Sequence, residues 1–403
     1  MTYSLLNLRL PDTDKDIRKS SITISDGIFQ YIGQKNHADM DLHTFIDFSD
    51  KAIAFPGLIN SHDHLDFNVF PILKTRIYCD YIEWARDIHY CDEFKHIIEK
   101  LKNKPLKIKI LYGLIKNIIC GVTTVINHGK RIDEQWEVID IFQNCTVLHS
   151  YQYESWLALK INIAPYSKPI TIHMGEGKTP AMYKEVNRIL AYNITNKDII
   201  GVHGINLNRK QAQRMRALIW CPQSNHVLYG QTAEINEFKD SVPILFGTDS
   251  SLSSHWNLWE HIRLAKSLNY MNDMEILDAL TTTPAEIWKL PLNGKITEGY
   301  TADLVIAKRK SNSYWKSFNS LEPVDILAVF KHGKLVYFDD SLLAMLPNSF
   351  LNWTQWSKIS LDNTCKYLPA VLMHELVNEI EQFDVLPIKL VKHNILLENH
   401  KIP

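Results

Sequence analysis

From Pro56 to about residue 290 the chain repeats one pattern: a short apolar stretch, a polar residue, then a segment with helical spacing. Thr123-Thr124-Val125-Ile126, Cys145-Thr146-Val147-Leu148, Ile199-Ile200-Gly201-Val202 and Pro243-Ile244-Leu245-Phe246 read as strands, with helices over residues 183–192 and 256–268. Strand and helix in alternation call for a parallel sheet, because parallel neighbours need a long crossover between them. At this length the expected form is an α/β fold, a closed (β/α)8 TIM-like barrel over residues 54–292, with its chemistry at the strand C-termini.

The flanks have a different texture. Ser21-Ile22-Thr23-Ile24, a turn at Asp26-Gly27 and Ile28-Phe29-Gln30-Tyr31-Ile32 read as a hairpin. Strand character returns at Asp303-Leu304-Val305-Ile306-Ala307 and in the hairpin around His332-Gly333. Neither flank offers enough strands for a core of its own, so residues 1–53 and 293–345 are expected to form one small discontinuous β-sandwich domain. Residues 346–403, with a predicted helix over 370–383, form a C-terminal extension to which the sequence assigns no role.

The polar residues that end the apolar stretches carry the functional signal. His62 and His64, in Pro56-Gly57-Leu58-Ile59-Asn60-Ser61-His62-Asp63-His64, share one face of a strand and can hold one cation from the same side. His173 and Glu176 follow Ile170-Thr171-Ile172, His203 follows Gly201-Val202, and Asp249 follows Leu245-Phe246-Gly247-Thr248. Taken singly these residues have ordinary readings. A lone buried histidine is usually a hydrogen-bonded core residue, and Asp249 could cap a helix. Taken in order, each at the end of a strand, they read as a site: His62, His64, His173 and Asp249 on one divalent ion with a position left for water. The ion would lower the pKa of that water from about 15.7 to roughly 7, with Glu176 moving protons, His203 polarising the substrate or holding the nucleophile, and Asp249 accepting a proton. His128, Tyr81, Trp84 and Asn225 are weaker candidates for pocket contacts, and core packing or a local turn bond accounts for them as well.

These motifs together resemble the amidohydrolase superfamily, in its mononuclear deaminase and chlorohydrolase branch, over residues 1 to about 340. Residues 56–64 resemble its first-strand motif, His173-Met174-Gly175-Glu176 its fifth, His203 its sixth, Cys221-Pro222-Gln223-Ser224-Asn225 its seventh and Gly247-Thr248-Asp249-Ser250 its eighth. The resemblance implies one Zn or Fe ion, zinc ahead of iron, on His62, His64, His173 and Asp249. It further implies Glu176 as proton donor to a ring nitrogen, His203 orienting the water, and Asp249 taking its proton. The implied activity is hydrolytic deamination of a nitrogen heterocycle such as a purine or pterin. Hydrolysis of a cyclic amide or a chlorinated ring by the same site is the alternative. Only about 20 residues separate Ser150 from Ile170, too few for helix, strand and helix, so the barrel is expected to be abbreviated around strands three and four.

Composition excludes other classes. Lys plus Arg number 44 against 45 Asp plus Glu, which gives no field for nucleic acid or an anionic membrane, so a small heterocyclic ligand is the expected partner. The apolar run over residues 108–126 is interrupted by Lys109, Lys116 and Asn117, too polar for a membrane span. Six scattered cysteines without a paired framework suit reduced thiols and a cytoplasmic setting, and association as a homodimer stays open. A catalytically silent binding protein on the same fold is the reading from another class; a decayed site should have lost at least one of the six residues named, and all six are present.

Overall fold

The computed structural model describes residues 1–11, 18–34 and 44–391 of the 403. One ten-stranded sheet gathers both ends of the chain. Its strands are β1 (Thr2–Leu10), β2 (Arg18–Ser25), β3 (Ile28–Gly33) and β4 (Thr44–Pro56) from the N-terminal side. From the C-terminal side come β13 (Leu304–Lys308), β14 (Ile326–Lys331), β15 (Lys334–Asp339), β16 (Trp356–Leu361), β17 (Thr364–Pro369) and β18 (Ile388–Leu390). The order is β18-β16-β17-β15-β14-β13-β4-β1-β2-β3. The two ends meet where β13 runs antiparallel to β4, Leu304 opposite Pro56 and Lys308 opposite Ala52.

The period-two pattern of β4 and β13 explains why the sheet is covered on both faces. Ala52, Ala54, Leu304 and Ile306 point into a core shared with Tyr3, Leu5 and Ile22 of the sheet itself. Their neighbours Ile53, Phe55, Val305 and Ala307 point the other way, into the core of the α/β part. A strand buried on both faces reads as a continuous apolar run, as Ala52-Ile53-Ala54-Phe55 does. The strands expected as a sandwich thus join in one hydrogen-bonded sheet, and residues beyond 345 extend its edge. The helix expected over 370–383 is helical only over Ala370–Met373, with a 3₁₀ turn at Ile380–Gln382. Between them Leu376 and Val377 both donate to the Met373 carbonyl, mixing i−3 with i−4 bonding.

The α/β part contains β5 (Leu58–Asp63), β6 (Val122–Asn127) and β7 (Asp140–Phe142) in one parallel ladder. A second parallel ladder contains β8 (Thr146–Ser150), β9 (Ile170–Met174), β10 (Ile199–His203), β11 (Ala217–Trp220) and β12 (Ile244–Phe246). Helices α1 (Tyr81–Tyr90), α2 (Asp92–Lys102) and α3 (Leu106–Ile119) connect β5 to β6, α4 (Leu157–Ile163) leads into β9, and α5 (Pro180–Tyr192) leads into β10. At one seam, Asp249 N donates to His62 O at 3.0 Å, so the residues after β12 lie beside β5.

The abbreviation lies one step earlier than the sequence suggests. The interval between Ser150 and Ile170 holds an ordinary helical connection, whereas only residues 143–145 separate β7 from β8, with no helix. Three residues cannot make a parallel crossover, which needs a dozen or more. Residues 140–150 instead pair first with β6 and then with β9, and the His128 ring meets the Leu148 carbonyl at 3.1 Å. β7 and β8 thus follow one another directly, without a connecting helix.

Gly57 marks the passage from the ten-stranded sheet to β5. Its N–H bonds Asp303 O at 2.8 Å, and a Cβ there would collide with the Thr123 side chain and sit 3.0 Å from the Asp303 Cβ. Gly57→Ala is expected to lose about 1–3 kcal/mol in urea unfolding, the usual cost of overpacking; unchanged stability would mean that this junction is loosely packed.

Candidate metal centre and active site

Strand ends deliver the expected residues to one place. His62 is the penultimate residue of β5 and His64 follows that strand, so their rings lie on the same side with centroids 5.0 Å apart. His173 in β9 brings its Nε2 to 3.3 Å from His62 Nε2. Asp249 Oδ1 lies 3.8 Å from both His62 Nε2 and His64 Nε2. Burial and the neighbouring imidazoles hold His62 and His173 well below the ordinary histidine range, so both rings are neutral and each keeps one unprotonated nitrogen. Two imidazole nitrogens and a carboxylate converging at this range suit a divalent cation, because the set is soft enough for nitrogen-loving metals and carries one negative charge.

Asp249 is prepared for that role. Burial pulls its carboxyl upward, but His64, His203 and the hydroxyls of Ser253 and Ser224 outweigh it and hold the group below the usual carboxylate range. Ser224 and Ser253 donate to Oδ2 at 2.8 and 2.6 Å, and Ser250 N donates to Oδ1 at 2.7 Å. Asp249 and His203 both have left-handed backbone, at φ 58° and 70°, conformations that non-glycine residues adopt at a cost and that cluster at functional sites. Gly247 is required at this turn, since a Cβ would lie 2.7 Å from that of His62.

Glu176 stands opposite, in the loop after β9. Burial raises its carboxyl above the ordinary range, against the lowering effect of His203 and of the Tyr229 hydroxyl, which donates to Oε1 at 2.6 Å. Its Oε2 lies 3.6 Å from His203 Nε2. Asn225 fixes that histidine by accepting from Nδ1 at 2.8 Å, while its own amide donates to Thr232 Oγ1 and His203 O. Asn225 therefore makes a bond within the site rather than a turn bond alone. His128 joins the cluster too, its ring stacked 4.4 Å from His173, and with His62 and His173 it forms a second group close enough to hold a cation. Its Nε2 is engaged by Leu148 O. Tyr81 and Trp84 both line the cavity above these residues.

What the sequence did not disclose lies behind the strand. Asp63, between the two histidines, faces away from them and is fully buried. Lys116 of α3, 2% exposed, reaches it at 3.2 Å and also bonds Asn68 Oδ1 at 2.8 Å, Thr248 Oγ1 at 3.2 Å and Asp249 O at 3.0 Å. Asn117 and Asn68 donate to the Asp63 carboxylate, and Asn60 bonds Thr248 twice, through Nδ2 and Oδ1. This network ties the β5 end to the Asp249 turn. The only signal in the sequence was a lysine placed inside a strongly apolar run.

Two outcomes follow from these buried charges. Lys116→Met strands the Asp63 carboxylate and is expected to cost about 3–5 kcal/mol in denaturant unfolding, with Asp63→Asn on the same background recovering much of it. Equal stability of the wild type and Lys116→Met would show that the pair positions nothing. Glu185 in α5 is 4% exposed and accepts from Tyr81 Oη at 2.8 Å; burial raises its carboxyl from 4.5 to about 7. A carboxyl raised by folding contributes stability that is fully present below pH 4.5 and is lost as pH rises through 7. That component is on the order of 3 kcal/mol, and Glu185→Gln should lack it, so its stability should fall less across this window. Parallel stability curves for the two proteins would contradict the assignment.

Comparison with known proteins agrees with this geometry. Residues 153–336 match the Amidohydrolase family. A 5-methylthioadenosine/S-adenosylhomocysteine deaminase of Caldicellulosiruptor saccharolyticus is 21% identical over 395 residues, covering 83% of this chain and 92% of the relative. In structure, an adenosine deaminase from Xanthomonas campestris with bound zinc superposes with a TM-score of 0.63 at 16% identity, over 83% of this chain and 92% of that one. The zinc complex of an atrazine chlorohydrolase from Arthrobacter aurescens superposes with a TM-score of 0.65 at 17% identity, over 83% and 95%. The family match thus spans residues 153–336, and the relatives and structural neighbours that share the fold are, by name, deaminases and a chlorohydrolase.

Proposed function

We propose that the protein is a metal-dependent aminohydrolase that replaces an amino group on a nitrogen heterocycle, of purine or pterin type, by a carbonyl oxygen. The observation that carries this reading is the pairing of Glu176, held by Tyr229 Oη at 2.6 Å and facing His203 Nε2 at 3.6 Å, with the histidine and aspartate cluster at the base of one cavity. The relatives support it, being deaminases of adenosine derivatives by name.

In this reading His62, His64, His173 and Asp249 hold one divalent ion, zinc ahead of iron. When bound, such an ion supplies Lewis acidity that brings the pKa of a coordinated water to about 7. The rest is done by the chain. Asp249, kept ionised, accepts a proton from the water that adds to the amine-bearing ring carbon. Glu176, whose carboxyl burial shifts toward the protonated form, gives its proton to the adjacent ring nitrogen, and His203 orients the water through a ring fixed by Asn225. The proton on Asp249 passes to the amino group, which leaves as ammonia, and the new hydroxyl returns a proton to Glu176 as the carbonyl forms. Atoms and charge balance over the cycle.

The same reading includes a closed (β/α)8-type barrel beside a discontinuous β domain of residues 1–53 and 293–345, with 346–403 as an extension. It also includes a cytoplasmic setting and a homodimer; among the described residues no helix is long and apolar enough to cross a membrane. Hydrolysis of a chlorinated ring is the second reading, favoured by the structural likeness to the chlorohydrolase.

Ammonia release from a panel of aminated purines, pyrimidines, pterins and triazines, with chloride release from chlorinated analogues alongside, separates the two. Glu176→Gln is expected to lower kcat by about 10²–10⁴-fold, the range of a lost general acid. Undiminished ammonia release by that variant would remove Glu176 from the reaction.

A further inference from the structure

Above the polar floor the cavity changes character. It encloses 540 Å³, within the range of about 300–1,000 Å³ that houses a whole drug-sized ligand, which leaves room beyond a bicyclic ring. Its upper wall is formed by Phe70, Leu73, Trp84, Ile88, Ile98 and Leu252. Two of the polar groups along that wall are already committed, and Tyr153, His149 and Ser250 add a few more polar atoms to a mostly apolar lining. Trp84 Nε1 donates to Leu73 O at 2.8 Å, and Tyr81 Oη donates to Glu185 while accepting from Gln152 N at 3.2 Å. Among the described residues, the carboxylates lining the cavity are Glu176 and Asp249, both at the floor. His89 and Lys102 stand exposed at the rim.

A sugar in this upper chamber would exchange its water hydrogen bonds for apolar contacts, and unpaired buried hydroxyls are costly. An alkyl or aryl group would gain free energy in proportion to the apolar area it buries. Resting on the deaminase reading above, we propose that the substrate is an aminated nitrogen heterocycle carrying a bulky apolar substituent, the amine directed to the floor and the substituent lodged between α1, α2 and the Phe70–Leu252 wall. Unsubstituted rings fill too little of the cavity, and ribosylated ones place a diol against a surface that is mostly apolar.

The test is a matched series in three head groups, adenine, guanine and cytosine, each as the bare base, the N-benzyl derivative (N9 or N1) and the nucleoside. The metal-loaded full chain is assayed for ammonia and, in parallel, for equilibrium binding by calorimetry. In whichever head group is turned over, the benzyl compound should exceed the bare base at least tenfold in kcat/KM and should exceed the nucleoside. Trp84→Ala and Ile88→Asn should each lower the benzyl-to-bare ratio at least fivefold; two variants guard against one failing to fold. A nucleoside turned over as well as the benzyl compound, or a ratio untouched by both substitutions, overturns the inference. Silence from every head group would count against deamination. The calorimetry then decides the inference alone: tighter binding of the benzyl compounds than of bare bases and nucleosides supports it, and equal or absent binding overturns it.

Discussion

A buried lysine holds this site in register. Lys116 and Asp63 sit where a lone charge would be costly, and each is acceptable only because the other is present and the surrounding amides and hydroxyl fill the remaining positions. The consequence is geometric. His62 and His64 flank Asp63 on one strand, and Asp249 lies at the end of another. Lys116 bonds the first segment through Asp63 and the second through Thr248 Oγ1 and Asp249 O. The spacing between imidazole and carboxylate is thereby set from behind, by groups that never face the cavity.

The inward face was more legible than this support. Alternation along β5 forces His62 and His64 to one side, and the order of His173, Glu176, His203 and Asp249 at successive strand ends could be read directly from residues. The hairpins at Asp26-Gly27 and His332-Gly333 were equally plain, because each glycine takes a positive φ there, 81° and 69°. Outward partners left no such trace. A lysine in an apolar run looks like an interruption until a carboxylate is found against it, and Tyr229, which donates to Glu176, lies 53 residues further along the chain on a helix the sequence did not mark. The missing crossover between β7 and β8 shows in the sequence only as a shortage of residues before Ile170, whereas the short link itself lies at residues 143–145. Short strands of three and five residues give little period to read.

The division of the cavity into a polar floor and an apolar chamber separates two tasks. Below, burial holds the His173 imidazole low and raises the Glu176 carboxyl, while neighbouring histidines and serine hydroxyls lower that of Asp249, so the two carboxyls are pushed in opposite directions. Above, side chains from α1 and α2 supply surface without hydrogen-bonding demands. In the proposed reading the floor carries the reaction and the apolar chamber selects what is brought to it. Fold alone would fix neither, as deaminases and a chlorohydrolase share it.

The central claim is that one ion sits among His62, His64, His173 and Asp249, with His128 outside its ligand set. Anomalous diffraction at the zinc edge from zinc-loaded crystals tests it most directly. A single peak bonded to those four side chains, with His128 Nε2 still on the Leu148 carbonyl, is the expected result. A peak ligated by His128 in place of His64 or Asp249, or the lack of any peak in this cluster, would contradict the account.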